Sequence, residues 1–228
     1  MTLSTTAPCT DVILIHGLYQ NSLVMKILGK RLKKMGYQVH YFDYPTLKKA
    51  LSNNVNLLTN YLERFSEPFS IIAHSLGCIL TLHTLKKTTF PQLQSVIAIT
   101  PPFHGSRIVK YLSDHHGSFL IGKSEEALTP NDNQLWDIPL PLGVIVGTQN
   151  YGPTSLLLEK LTNTVEKNSL LSDGTVYLDE TEIIGSTDTT TLHKSHTMIL
   201  FDPQLPILCD HFIHHHHFNV PEAKLNYF

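Results

Sequence analysis

One serine is set apart by its neighbours. In FSIIAHSLGCIL, residues 69–80, an apolar run reaches His74 and Ser75 and resumes after Leu76 and Gly77. The first half reads as a strand and the second as a helix. A chain that passes from strand to helix at one residue must turn sharply. Small residues are needed two places before and after the turn, because the two backbones pass close together there. Ala73 and Gly77 meet that need. Ala73 stands where glycine is usual, and its methyl is tolerated in some such turns. The turn thrusts the Ser75 hydroxyl out at the strand end, where it could act as a nucleophile.

A serine hydroxyl is a poor nucleophile near neutral pH. It needs a base to take its proton and an acid to orient the base. It also needs donors for the negative oxygen that forms on the attacked carbonyl. In this kind of turn the acid precedes the base, and both follow the serine. The candidate acid is Asp173 in SLLSDGTVYL, where an Asp-Gly turn holds a carboxylate at a corner; Asp179 and Asp188 are its rivals. The candidate base is His196, which opens HTMIL where a loop meets an apolar segment; its nearest rival is His193. Further histidines follow at His211 and from His214 to His217. The N–H groups of Leu76, just after the serine, and of Leu18, in the HGLYQNS loop, are the expected oxyanion donors.

These groups need a frame. DVILIHG is a continuous aliphatic run ending in glycine, as a strand buried on both faces reads. A helix with Val24, Leu28 and Leu32 on one stripe follows, capped at Asn21 or Ser22 and ended by Gly36. YQVHYFDYP is a second strand. Leu51, Val55, Leu58 and Leu62 mark a second helix. FSIIAHS, LQSVIAITP and PLGVIVGTQ supply three more strands, with a largely apolar helix, LGCILTLHTLKK, after the first of them. The alternation predicts an α/β fold with a mostly parallel sheet and helices on both faces. Reactive groups in such sheets gather at the C-terminal strand ends. His16, Ser75 and Phe103 all fall just past strand ends.

No linker or internal repeat interrupts the chain, so 1–228 reads as one domain. Residues 103–139 form the widest gap between strands and are a candidate small cap. A short helix is expected over 107–112, followed by the polar stretch KSEEALTPNDNQ. A net charge of −2 gives no basis for binding nucleic acid. The lysines and arginine of KILGKRLKKMG read as the solvated face of a helix. Three widely spaced cysteines, Cys9, Cys78 and Cys209, make neither a disulfide framework nor a metal motif. They lean toward a reducing, cytoplasmic setting. MTLSTTAPCTD has no signal-peptide pattern, and no apolar run approaches the ~20 residues of a membrane helix. In DHFIHHHHFNV, His211 and His215 can share a helix face; the run reads as a native, solvated helix end rather than a metal site.

Together, HGL at 16–18, AHSLG at 73–77, TPPFHGS at 100–106, SDGTV at 172–176 and HTMIL at 196–200 resemble the α/β-hydrolases. The likeness is to the small, nearly lidless bacterial lipases and esterases. In those, a Thr-Pro-His-x-Gly-Ser segment often follows the strand after the serine; here Phe103 precedes His104, which shifts that histidine by one. The resemblance implies a serine esterase with Ser75 as nucleophile, Asp173 as acid and His196 as base. It implies Leu18 and Leu76 as the oxyanion hole, an acyl-enzyme intermediate, and no cofactor or metal. The substrate would be a small-molecule or lipid ester held in an apolar pocket, for which Leu18, Tyr19, Phe103, Ile108 and Tyr111 are candidate walls. A thioesterase, an acyltransferase or an inactive binding protein of the same fold would carry a similar pattern.

Overall fold

A computed structural model describes residues 9–116, 118–130, 135–152, 155 and 171–221. The amino-terminal residues 1–8, read above for signal-peptide character, and residues 131–134 of the polar stretch lie outside the described residues.

Among the described residues, six strands form one sheet: β1 (Asp11–Ile15), β2 (Gln38–Phe42), β3 (Phe69–His74), β4 (Leu93–Ile99), β5 (Leu142–Gly147) and β6 (Asp188–Leu192). Their order is β2-β1-β3-β4-β5-β6, and every neighbouring pair is parallel. The aliphatic runs of β1, β3 and β5 are buried along their whole length, because side chains of alternate direction enter two different cores. Ile13, Ile15, Ile71, Ala73, Val96 and Val144 face one core, which holds α2 (Leu51–Leu62) and α3 (Leu76–Lys87). Val12, Leu14, Ile72, Ile97 and Ile145 face the other, which holds α1 (Lys26–Lys34) and the last described helix, Leu205–His215.

Three local expectations are corrected. Helix α1 begins at Lys26 with Met25 at its cap, not at Asn21 or Ser22. The Asn21 side chain instead accepts from the N–H of Leu23 at 3.0 Å, closing a turn two residues on, and the Ser22 N–H donates to the Asp43 carboxylate at 2.6 Å. Asp188 starts a sixth strand, β6, where five were expected. DTTTL carries no apolar run because it is an edge strand with exposed alternate residues, held by β-branched threonines. The exposed residues 214–217 fit a solvated helix end, but His211 is buried, with its ring 4.4 Å from that of His215 and 4.8 Å from that of His217.

The sheet order reverses direction between β1 and β3, and ligands of open α/β sheets bind at such a crevice. Gly77 lets α3 approach it. A β-carbon there would lie 2.7 Å from the His16 carbonyl oxygen and 2.9 Å from that of Ile15. Both are backbone atoms, which cannot turn aside.

Among its described residues, the segment after β4 carries the short helices α4 (Arg107–Asp114), α5 (Ser118–Ile121) and α6 (Glu125–Leu128). The Ser106 hydroxyl caps α4 by accepting from Val109 N–H. Glu180 locks this segment to the loop that follows Asp173. Its carboxylate accepts from the backbone N–H of Arg107 at 2.7 Å and of Tyr177 at 2.9 Å, and its own carbonyl accepts from His104 N–H at 3.0 Å. The Arg107 guanidinium makes a two-pronged pair with Asp179.

Two outcomes follow for stability. Gly77→Ala should cost about 1–3 kcal/mol through overpacking, lowering Tm by several degrees in a thermal melt, whereas Cys78→Ala next to it should not move the backbone. Burial pushes the Glu180 carboxyl up to about 7, from an ordinary 4.5. The folded chain then holds a proton that the unfolded chain has released, so this group's contribution to stability falls as pH rises through that window. Glu180→Gln should flatten that decline in Tm, measured by calorimetry between about pH 4.5 and pH 7.5.

Candidate active site

Ser75 joins β3 to α3 with φ 53° and ψ −122°, a conformation that L-residues avoid. Its neighbours on both sides hold it there. The Ser75 N–H donates to the Ile99 carbonyl of β4 at 2.9 Å, and the Ser75 carbonyl accepts from Cys78 N–H at 2.9 Å. A β-carbon on Gly17 would stand 2.9 Å from the Ser75 β-carbon, so the loop after β1 runs directly against the serine. Leu18 borders the same space, and Leu76 is the first residue of α3.

Asp173 is fully buried in a tight turn that Gly174 permits with φ 89°. One carboxylate oxygen accepts from Thr175 N–H at 2.9 Å and Val176 N–H at 2.8 Å. The other accepts from His196 Nδ1–H at 2.7 Å. An ionised carboxylate only accepts, so this contact puts the imidazole proton on Nδ1 and leaves a lone pair on Nε2. That Nε2 is 2.9 Å from the Ser75 hydroxyl, which donates to it. The backbone repeats the link, since His196 N–H donates to the Asp173 carbonyl at 2.9 Å. Ser75, His196 and Asp173 therefore form one hydrogen-bonded chain that is almost wholly removed from solvent.

The rivals lie elsewhere. Asp179 is engaged by Arg107. Asp188 accepts from Thr189 N–H and Phe218 N–H. His193 stands beside Thr148.

A cavity of about 420 Å³ opens over Ser75 and His196. Leu18 and Tyr19 border it on one side, and Ile108, Val109, Leu112 and Leu128 on the other. Two expected walls are not among its lining residues. Phe103 turns into the core beneath. Tyr111 falls off the stripe that α4 presents to the cavity and stacks on His115 at 4.0 Å. A larger hollow of about 540 Å³ lies near the C-terminal end of α3, bordered by Lys86, Phe90 and Asp137. It contains none of the hydrogen-bonded groups above, so the chemistry points to the smaller cavity. Among the described residues, no group of three or more His, Cys, Asp or Glu is placed to hold a metal ion.

Several supporting groups escape sequence reasoning. His16 is buried; its Nδ1–H donates to the Gly17 carbonyl at 3.0 Å and its ring stacks on Tyr44 at 4.7 Å. Burial pushes its imidazole down from the ordinary value, toward the neutral form. The Tyr44 hydroxyl donates to the His16 carbonyl at 3.0 Å. Gln20 accepts from Gly17 N–H at 2.9 Å through its side chain. These contacts shape the loop beside Ser75. Their only sequence signal is that polar residues crowd the end of an apolar strand.

A family model described as Serine hydrolase matches residues 13–115, a span that contains Ser75 and ends before Asp173 and His196. No curated protein matches the chain by sequence. Among solved structures, the mature lipase BlEst2 of Bacillus licheniformis superposes with a TM-score of 0.68 at 16% identity, covering 92% of this chain and 95% of the lipase. Phospholipase PlaB of Legionella pneumophila superposes at 0.63 and 15% identity, over 83% of this chain and 53% of the phospholipase. The monoacylglycerol lipase of Paleococcus ferrophilus does so at 0.58 and 15% identity, over 92% of this chain and 97% of the lipase. With its parallel sheet, two helical layers and sharp serine turn at the crossover, the chain has the α/β-hydrolase fold.

Proposed function

We propose that this protein is a serine hydrolase that cleaves carboxylic esters through an acyl-enzyme, and that residues 1–228 act as one domain with 103–139 as a small cap. The observation that carries the proposal is the continuous Asp173–His196–Ser75 hydrogen-bonded chain beneath an apolar cavity. The names of the structural neighbours (a lipase, a phospholipase and a monoacylglycerol lipase) favour esters as substrates.

In this mechanism the Ser75 oxygen attacks the ester carbonyl carbon as its proton passes to His196 Nε2. Asp173 keeps the other proton on Nδ1 and stabilises the imidazolium that forms. The carbonyl oxygen takes up the negative charge and accepts N–H bonds from Leu76 and Leu18. Leu76 opens α3, where backbone N–H groups lack partners within the helix and the helix dipole favours an anion. Removing one such donor typically costs ~10²–10³ in rate. Collapse of the tetrahedral adduct expels the alcohol, which takes the proton from Nε2. Water then repeats the sequence on the acyl group and frees Ser75.

The cavity would take the apolar portion of the ester against Leu18, Tyr19, Ile108 and Leu112. Substrate binding here is expected to be dominated by apolar contact, with few polar groups to fix orientation.

Three measurements test the proposal. Ser75→Ala should abolish hydrolysis of p-nitrophenyl esters and covalent labelling by a fluorophosphonate; a variant that keeps the parental rate would refute it. Asp173→Asn preserves shape but can hold His196 in the wrong tautomer, and should lower kcat by about 10³–10⁴. Acyl-CoA substrates tested beside oxygen esters read out whether the leaving group is an alcohol or a thiol.

A further inference from the structure

His74 is the last residue of β3 and the peptide neighbour of Ser75. It is wholly buried. Its Nε2 lies 2.9 Å from the backbone carbonyl oxygen of His196, and its ring centroid is 4.9 Å from that of His196. Its Nδ1 lies 3.1 Å from the Gln20 side-chain oxygen, the same oxygen that accepts Gly17 N–H. One imidazole therefore touches both the loop beside Ser75 and the main chain of the proposed base.

Burial and the nearby His196 push the His74 imidazole down to about 3, so the ring is neutral and carries one N–H. The shorter contact is to the His196 carbonyl, which can only accept. Both neighbours of the ring are oxygens, so the single proton can serve only one; the shorter contact takes it on Nε2 and leaves the Nδ1 lone pair beside the Gln20 oxygen. The peptide groups on both sides of His196 are then tied. Its N–H is bound to the Asp173 carbonyl, and its C=O to His74.

We propose that His74 is a positioning residue for the reaction: its Nε2–H, donated to the His196 carbonyl, sets where the base stands relative to Ser75. The inference rests on the esterase reading above and extends it. Without the strut, the imidazole of His196 is aimed only from the Asp173 side. Misplacement of a reacting group by about 1 Å can cost 10²-fold in rate. Substrate binding in the cavity above would be left largely intact.

The test compares His74→Met, His74→Gln and His74→Asn. Met fills the space without an N–H. The amide nitrogen of Gln can reach the position of Nε2, whereas that of Asn reaches only Nδ1. With p-nitrophenyl butyrate, Met and Asn should lose roughly 10- to 100-fold in kcat with little change in KM. Gln should recover most of the loss. Wild-type kcat in the Met variant, or rescue by Asn and not by Gln, would overturn the assignment. A second readout does not need turnover. The low-field NMR signal of the proton between His196 and Asp173 should shift or broaden in Met and Asn and return in Gln; a signal unchanged in all three counts against the strut. Failure of the esterase reading itself looks different: a Ser75→Ala variant as active as its parent, whatever residue 74 is.

Discussion

The backbone at Ser75 is the constraint on which the rest depends. A residue other than glycine at φ 53° lies where its own β-carbon crowds the chain, and such conformations persist only where the surroundings over-determine them. Here three elements do so. β4 takes the Ser75 N–H, the first turn of α3 takes its carbonyl, and the loop after β1 closes the remaining side at Gly17. Each contact demands a small residue or a free backbone group where strands and helix converge. That is why Gly17 and Gly77 flank the turn in space although sixty residues of chain separate them.

His196 and Asp173 are organised by a different principle. No strand end fixes Asp173; a hydrogen-bonded turn does. Both carboxylate oxygens are engaged, and two of the donors are backbone N–H groups of the same turn. A buried carboxylate is tolerable because it is surrounded by donors. The same turn reaches His196 by main chain and by side chain. Glu180, a few residues on, binds the turn to the segment after β4 by accepting from Arg107 N–H. The loop that carries Asp173 and the segment that borders the cavity are thus parts of one hydrogen-bonded unit.

The frame is legible in the sequence wherever burial is complete. β1, β3 and β5 are continuous aliphatic runs because both faces of the sheet are covered, and α3 is apolar nearly all round because it lies centrally. The contact among Ser75, His196 and Asp173 is legible through chain order and the Asp-Gly turn. Legibility fails where burial is partial. β6 is a threonine strand at an edge, without the hydrophobic signal of its neighbours. The start of α1 is masked by an asparagine that caps a turn rather than a helix. Phe103 and Tyr111 are misjudged as walls because aromatic character does not say which side of a segment faces the cavity. The roles of His74 and Glu180 depend on backbone partners more than 70 residues away, and side-chain spacing carries no trace of these.

The all-parallel order of the sheet has a further consequence, for biosynthesis. Parallel neighbours cannot close as hairpins, so every pairing waits for a crossover. Chains are made and begin folding from the amino terminus. When β1 to β4 are complete, the serine turn can already exist, yet the histidine that would draw off its proton lies 121 residues beyond it. A ribosome-bound chain therefore carries Ser75 without its histidine partner until residue 196 has been made. On the proposed mechanism, reactivity toward esters arises only when the segment after β6 folds back onto the sheet.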